Sequence, residues 1–186
     1  SSLTPLRAVR ALWGCRFYVF GDPLWLKRRS SSNVVIGGAA GAVPVLIGWT
    51  AVTGALDSCA PIILFAIIVY WTPPHFWALA IHYKDDYSRA DVPMLPSVAS
   101  MKTTTRQITA YTVIVWVTSL VFGEVAGMGP LYWVAAVVLG AAFLLYAIRL
   151  YFDPTTDAAM RLFAYSITYI TLLFGAMAVD QLVRHV

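Results

Sequence analysis

Charged residues are scarce in this sequence: Asp, Glu, Lys and Arg make up 12% of its 186 residues, whereas hydrophobic residues make up 60%. Soluble globular domains carry roughly a quarter charged residues. The composition therefore excludes an ordinary soluble domain and indicates a chain that lies largely in lipid. Cysteine is also rare. Cys15 and Cys59 show neither metal-ligand nor redox spacing, so neither a disulfide framework nor a zinc site is predicted.

The excess of basic residues, a net charge of +4, does not indicate nucleic-acid binding. The basic residues stand in short polar segments between long apolar runs. That distribution is typical of the cytoplasmic face of a membrane protein. Membrane lipid is therefore the predicted surrounding, and no nucleic-acid partner is predicted.

Five long runs contain no charged residue. A helix needs about 20 apolar residues to cross a hydrocarbon core of about 30 Å, and it satisfies its own backbone hydrogen bonds there. The predicted fold class is an all-α, polytopic membrane protein with five clear transmembrane helices, the third extended beyond its apolar run. The runs are Val34 to Leu56, Cys59 to Ile81, Ile108 to Phe122, Leu131 to Ile148, and Leu162 to Val179.

Residues 1–33 are predicted as a region of their own, ahead of a transmembrane domain at 34–186. Leu3 to Leu26 has the length of a sixth span, but it contains Arg7, Arg10 and Arg16. An arginine at a helix centre costs about 2.5–3.5 kcal/mol on insertion scales. The segment is therefore either a surface helix or a span that needs partner helices.

Basic residues fall on one side of the membrane if the helices alternate in direction. Among the basic residues after Leu26, only Arg184 lies on the other side in this arrangement. The excess of Lys and Arg predicts that the basic loops are cytoplasmic. The residues on that side are Lys27, Arg28, Arg29, Lys84, Arg89, Lys102, Arg106, Arg149 and Arg161.

Two further groups have predicted roles within the apolar runs. Gly37, Gly38 and Gly41 form a small helix face, which indicates either close helix packing or room for a ligand. Aromatic residues near the run ends are typical of the interfacial belts of membrane proteins. They are Trp49, Trp71, Tyr132 and Trp133.

The candidate chemistry lies around the end of the second run, where Lys84 to Asp91 holds three carboxylates and two cations. A solvated loop is one interpretation. If a helix restarts after Pro73-Pro74 and continues to Arg89, steps of 100° bring four polar residues within about 60° of one another. This polar stripe, running from the membrane interior to its surface, consists of His75, His82, Asp86 and Arg89.

Each member of the stripe has a chemical interpretation. A histidine within a span is a functional candidate, with a structural histidine as the alternative for His75. Carboxylates suit Mg²⁺, which typically uses one or two of them together with substrate phosphates. Arginine binds phosphate through its planar fork, and lysine does so as a point charge. These patterns predict a cytoplasmic site for anions and cations without specifying the substrate.

Three motifs carry a family resemblance. They are the stretch from Leu26 to Trp49 (Leu-Lys-Arg-Arg followed by Asn-Val-Val-Ile-Gly-Gly), Trp-Thr-Pro-Pro-His-Phe-Trp-Ala-Leu-Ala at 71–80, and Asp-Tyr-Ser-Arg-Ala-Asp-Val-Pro-Met-Leu-Pro at 86–96. With these motifs the chain resembles the protoheme IX farnesyltransferases, also called haem O synthases, within the UbiA-type intramembrane prenyltransferases.

The resemblance implies nine helices around a central cavity, with two aspartate-rich cytoplasmic loops that hold Mg²⁺ and a prenyl diphosphate. It implies transfer of a farnesyl group from farnesyl diphosphate to a vinyl group of haem B, with addition of water, giving haem O. Asp86, Asp85 and Asp91 would form the second loop and bind the metal. Lys27, Arg28 and Arg89 would bind the diphosphate, and His75 and His82 would contact the haem.

The first aspartate-rich loop has no counterpart in this sequence, because no Asn-x-x-x-Asp-x-x-x-Asp pattern occurs. The chain is therefore expected to correspond to the C-terminal portion of the family, without its first three helices and with half of the metal site. Haem O synthesis by this chain is expected only if the metal site is completed, for example by another polypeptide, and the chain alone is otherwise expected to be inactive. The implied location is a bacterial inner membrane, with a mitochondrial inner membrane as the alternative. Haem A synthase or a terminal oxidase assembly is the implied recipient of the product.

Two other functions remain open. One is a UbiA-type enzyme that prenylates a quinone precursor, although the Trp-Thr-Pro-Pro-His-Phe-Trp motif argues against it. The other is a non-catalytic membrane protein that binds haem, which would need His75 but not Asp86.

Overall fold

The computed structural model describes residues 33–56, 58–89 and 94–185. All regular structure in these residues is α-helical, which confirms the predicted fold class. The helices are α1 (Asn33–Thr53), α2 (Ala60–His82), α3 (Lys84–Arg89), α4 (Leu95–Val98), α5 (Met101–Val125), α6 (Pro130–Phe152) and α7 (Thr156–His185).

Four of these helices, α2, α5, α6 and α7, are long and apolar enough to cross a membrane. The chain is accordingly an integral membrane protein. The helix α1 has 21 residues, but its apolar stretch, Gly37–Thr53, is shorter than those of the other four. The ambiguous segment from Leu3 to Leu26 lies outside the described residues, and so do Lys27 and Arg28.

The four long helices form a closed bundle in which α2 packs against α5 and α7, and α6 packs against α5 and α7. The helix α1 packs on α2. Short connections make consecutive helices antiparallel. One end of the bundle, the basic end, therefore contains the end of α2, the start of α5 and the turn between α6 and α7. It carries Lys102, Arg106, Arg149 and Arg161.

Large side chains fill the interior of the bundle, and Tyr132, Tyr169 and Phe143 are completely buried. Many aliphatic side chains face outward instead, including Val134 and Val138 on α6. Outward-facing apolar residues are expected where lipid replaces water around a helix bundle.

The predicted belt position of Tyr132 is wrong. Its ring lies inside the bundle, where its hydroxyl donates a hydrogen bond of 2.8 Å to the backbone oxygen of Ser119.

The small face of α1 serves packing at one position. A Cβ atom on Gly38 would lie 2.8 Å from Cβ of Thr72, so the two helices meet closely there. Gly41 has open space around the position of a Cβ atom, in the part of the chain that the structure describes. Close packing is thus confirmed at Gly38, and room beside the helix remains at Gly41.

The helix expected to run from the proline pair to Arg89 does not form. The helix α2 passes through Pro73-Pro74 without a break and ends at His82. Tyr83, with φ −98° and ψ 27°, leaves the helical conformation, and α3 begins at Lys84. The polar stripe as a single helical face is therefore wrong, because a continuous helix was needed to keep its four members in phase.

Candidate functional site

The His75 imidazole lies in an aromatic cage between α2 and α7. Trp71 stacks on the ring at a centroid distance of 4.4 Å, and Phe163 stacks at 4.5 Å. Both contacts are nearly parallel, with interplanar angles of 19° and 22°, so the two rings must cover opposite faces of the imidazole. Phe76 approaches edge-on at 5.2 Å. The histidine is 9% exposed, and only its edges remain for polar contacts.

Ser166 on α7 holds one of those edges. Its hydroxyl oxygen lies 2.7 Å from Nδ1 of His75 and 2.6 Å from the backbone oxygen of Phe163. The backbone oxygen of Ser166 in turn accepts a hydrogen bond of 2.8 Å from Nε1 of Trp71. One turn of α7 therefore holds both the imidazole and the indole stacked on it, so Trp71 is part of this cage and not of an interfacial belt.

His82 stands two helical turns beyond His75, at the basic end of α2. Seven residues of helix separate them by about 10 Å along the axis. His82 is exposed and contacts Tyr83 edge-on at 4.6 Å. The two histidines that were expected to contact haem thus differ: one is enclosed in the bundle and the other lies at its surface.

Asp86 and Arg89 lie just beyond His82, on the short helix α3. The carboxylate and guanidinium are 4.0 Å apart, and their side chains are 68% and 81% exposed. Exposed pairs of this kind contribute roughly 0–1 kcal/mol, so both groups can exchange their mutual contact for a ligand. The two groups are close as an exposed surface pair, and their roles in a diphosphate and metal site stay a prediction.

Other members of the predicted site are not brought together in the described residues. Asp85 lies on α3, but the placement of its side chain is not described, and Asp91 falls outside the described ranges. Within residues 33–56, 58–89 and 94–185, no three His, Cys, Asp or Glu side chains cluster as a metal site. Shared metal binding by Asp85, Asp86 and Asp91 stays a prediction.

Asp86 nevertheless fits one part of a magnesium site. Mg²⁺ often takes one or two protein carboxylates and completes its shell with water and substrate phosphates. An exposed carboxylate beside an arginine is suited to that arrangement, because the metal and the guanidinium can share one diphosphate.

Sequence reasoning missed Ser166 and Phe163, the partners of His75 on α7. The signal for Ser166 was a small hydroxyl residue within an apolar run, on the buried side of the helix. Its neighbours on that side, Leu162, Tyr169 and Leu173, are completely buried. Such a position identifies an inward-facing hydroxyl but cannot name its partner 91 residues away.

Several proteins are similar in sequence to this chain over most of its length. Proteins named protoheme IX farnesyltransferase from Parafrankia sp., Frankia casuarinae and Nocardioides sp. are 52%, 53% and 47% identical to it. The matches cover 94%, 90% and 97% of this chain but 56%, 58% and 59% of the relatives. The chain therefore spans less than two thirds of their length. No solved structure matches the chain.

The UbiA prenyltransferase family model matches residues 2–175. This range includes α1 to α6, the aromatic cage and the Asp86–Arg89 pair. The chain belongs to the UbiA prenyltransferase family.

Proposed function

We propose that this chain takes part in haem O synthesis, the transfer of a farnesyl group from farnesyl diphosphate to haem B. The observation that carries the proposal is the similarity of 47–53% identity, over at least 90% of the chain, to relatives named protoheme IX farnesyltransferase. A UbiA-type enzyme acting on quinone precursors shares the fold, but nothing in the described site favours it.

The geometry of α2 and α3 supports the proposal because an apolar, aromatic environment inside the bundle is followed, beyond the end of α2, by a charged environment at the surface. His75 stands inside the bundle among aromatic rings, so a group that contacts its free edge would lie in a largely apolar environment. Asp86 and Arg89 stand at the surface beyond the end of α2, an environment suited to a diphosphate. An isoprenoid diphosphate has the same polarity, with a charged head and an apolar tail.

The proposed reaction breaks the bond between C1 of the farnesyl chain and the diphosphate oxygen, which leaves with the electron pair. The terminal carbon of a haem vinyl group supplies the electrons for a new bond to C1. Water then adds to the resulting cation next to the porphyrin ring and loses a proton, leaving a hydroxyl group. Haem B, farnesyl diphosphate and water thus give haem O, diphosphate and a proton.

Positive groups at the basic end would stabilise the diphosphate as it departs. Arg89, with Lys27 and Arg28 as predicted from the sequence, would bind its oxygens, where negative charge grows in the transition state. Asp86 would hold Mg²⁺, which neutralises charge on the leaving group when bound. The apolar bundle would exclude water until the carbon–carbon bond has formed.

The location follows the same charge distribution. The proposed membrane is a bacterial inner membrane, with the basic end in the cytoplasm because Lys and Arg there exceed those at the opposite end. The haem product stays in the membrane, so haem A synthase or a terminal oxidase assembly is the proposed recipient.

Haem O formation tests the proposal directly. The purified chain in lipid nanodiscs, together with a polypeptide that supplies the family's first three helices and first aspartate-rich loop, is incubated with haem B, farnesyl diphosphate and MgCl₂, and extracted haems are measured by mass spectrometry. Asp86→Asn removes the charge of the carboxylate at nearly constant volume, and Asp153→Asn makes the same change at an exposed site between α6 and α7. We expect haem O from the parent chain and Asp153→Asn, and at least a 100-fold lower rate from Asp86→Asn.

Failure of the parent chain to form haem O under these conditions contradicts the proposal for this chain. Retention of the full rate by Asp86→Asn removes Asp86 from the metal and diphosphate role. Prenylation of a quinone precursor in place of haem B would assign the chain to the other branch of UbiA-type chemistry.

A further inference from the structure

The direction of the Ser166 hydroxyl can be inferred from its two neighbours. It lies within hydrogen-bond distance of two atoms, the backbone oxygen of Phe163 at 2.6 Å and Nδ1 of His75 at 2.7 Å. A backbone oxygen can only accept, so the single hydroxyl proton of Ser166 is donated to Phe163. Toward His75 the hydroxyl oxygen can then act only as an acceptor.

The direction of the Ser166 hydroxyl indicates which nitrogen atoms of the His75 imidazole carry a hydrogen. Nδ1 of His75 must carry a hydrogen to donate to Ser166. A second proton, on Nε2, would place a positive charge between two aromatic rings in the membrane interior, with no carboxylate among its contacts in the described residues. The neutral ring therefore has its hydrogen on Nδ1 and its lone pair on Nε2.

The same turn of α7 also restricts rotation of the ring. Trp71 covers one face and is itself held by its hydrogen bond to the Ser166 backbone oxygen, while Phe163 covers the other face. Within the described residues Nε2 of His75 makes no hydrogen bond. A histidine whose Nδ1–H is held by a neighbouring oxygen, with Nε2 left for a ligand, is the usual arrangement at protein metal sites.

We propose that Ser166 is a positioning residue that holds His75 in the Nδ1–H tautomer, so that the Nε2 lone pair can coordinate the iron of a porphyrin substrate. The proposal rests on the proposed function for the identity of the ligand. The tautomer itself depends only on the contacts between α2 and α7.

Nitrogen chemical shifts test the tautomer without any ligand. The chain has three histidines, so a His82→Gln, His185→Gln background leaves His75 as the single labelled residue after growth with ¹⁵N-histidine. Solid-state NMR in lipid bilayers should show a protonated Nδ1 and an unprotonated Nε2 at neutral pH. Ser166→Ala should shift the ring toward the Nε2–H tautomer, and Ser166→Thr, which keeps a hydroxyl, should restore it.

Ser119→Ala is the matched control, because Ser119 is another completely buried serine whose hydroxyl donates to its own helix. It should leave the His75 shifts unchanged. A protonated Nε2 in the parent background overturns the proposal, and this result does not depend on whether Ser166→Ala folds. Unchanged shifts in a folded Ser166→Ala variant overturn it as well.

Ferrous haem tests the consequence for iron binding. Resonance Raman spectra of the chain with haem should contain an iron–histidine stretching band that is lost in His75→Ala. Ser166→Ala should lower the band frequency or its intensity and weaken haem binding by about 10–100-fold, as changes to such supporting residues typically do. Absence of a His75-dependent band overturns the proposal.

The two proposals can fail separately. Haem O formation with an Nε2–H tautomer refutes the role of Ser166 and leaves the reaction intact. The Nδ1–H tautomer with an iron–histidine band but without haem O refutes the reaction and leaves the role of Ser166 intact.

Discussion

The carboxylate of Asp180, near the end of α7, accepts a hydrogen bond of 2.6 Å from the backbone N–H of Gly129, immediately before α6. It accepts a second one, at 3.3 Å, from the N–H of Tyr132 in the first turn of α6. Asp180 is only 3% exposed. The start of a helix has unpaired N–H groups and a partial positive charge, so it stabilises a buried carboxylate.

Asp180→Ala is predicted to destabilise the bundle by about 1–3 kcal/mol, because it leaves these backbone N–H groups without a partner in a buried position. Unfolding by SDS titration, followed by circular dichroism, measures the change. Asp153→Ala is the matched control. Because Asp153 is exposed, this substitution is expected to leave the stability of the bundle almost unchanged. Equal stability of the two variants would contradict a capping role for Asp180.

Gly140→Ala is predicted to loosen the contact between α5 and α6. A Cβ atom at this position would lie 1.9 Å from Cδ1 of Trp116, whose indole donates to the backbone oxygen of Ala136 at 3.1 Å. The indole must move, and overpacking of this kind costs about 1–3 kcal/mol.

Gly175→Ala on α7 is the control for that substitution, because a Cβ atom there meets open space. It should be neutral or more stable, since alanine favours a helix over glycine by up to about 1 kcal/mol. Both variants are compared by thermal unfolding in detergent. Destabilisation of both by the same amount would show that Trp116 does not determine the effect.

Tyr169→Phe is predicted to weaken the link between α5 and α7. The Ser119 hydroxyl donates to Val115, so the Tyr169 hydroxyl donates to Ser119, at 2.6 Å. Hydrogen bonds between membrane helices contribute about 0.6 kcal/mol on average and up to about 1.7 kcal/mol. SDS unfolding should show a loss in this range, and Tyr111→Phe, whose hydroxyl has no hydrogen bond in the described residues, should show none.

Under the proposed function, Arg89→Ala is predicted to raise KM for farnesyl diphosphate by about 10–100-fold, because hydrogen bonds to charged groups contribute about 1.5–3 kcal/mol. Arg89→Lys should recover part of the affinity, since lysine keeps the charge and loses the bidentate fork. Steady-state rates of haem O formation provide both constants. Arg106→Ala removes an exposed arginine from the same end of the bundle and should leave KM unchanged. An equal rise in both variants would mean that general charge, not Arg89 itself, binds the diphosphate.

Cys59 provides a test of orientation, because it is exposed in the turn before α2, at the end of the bundle opposite the basic end. In a Cys15→Ser background, a membrane-impermeant maleimide should label Cys59 in bacterial spheroplasts. A Cys15→Ser, Cys59→Ser, Thr155→Cys variant, with its cysteine in the turn between α6 and α7, should be labelled only after the membrane is opened. The reverse pattern would place the basic end outside the cytoplasm.

The positions of the spans could be predicted closely where apolar runs and helices coincide. The run from Cys59 to Ile81 corresponds to α2, and the run from Leu131 to Ile148 to α6. The run from Ile108 to Phe122 lies within α5, which starts at Met101, so the prediction that this helix extends beyond its apolar run is confirmed. Its first turns contain Lys102, Arg106 and several threonines, and helical backbone extends past the apolar core once Ser100 caps it. Hydropathy alone does not determine how many residues such an extension contains.

The candidate site was less predictable because half of its contacts are long-range. The motif at 71–80 identifies His75 and Trp71, whereas Phe163 and Ser166 come from a run with no motif. The break at Tyr83 was also hidden, because a single residue with non-helical ψ changes the direction of all residues after it.

By itself, the sequence determined the membrane class, the alternation of the helices, the asymmetry of charge and the resemblance to a family. These properties depend on composition and local spacing, and lipid tolerates few other arrangements of uncharged runs. Only the tertiary structure decided which hydroxyl faces His75, which rings cover it and which N–H groups Asp180 caps. Those contacts depend on the packing of helices distant in sequence, and side chains 91 residues apart meet only after the bundle has closed.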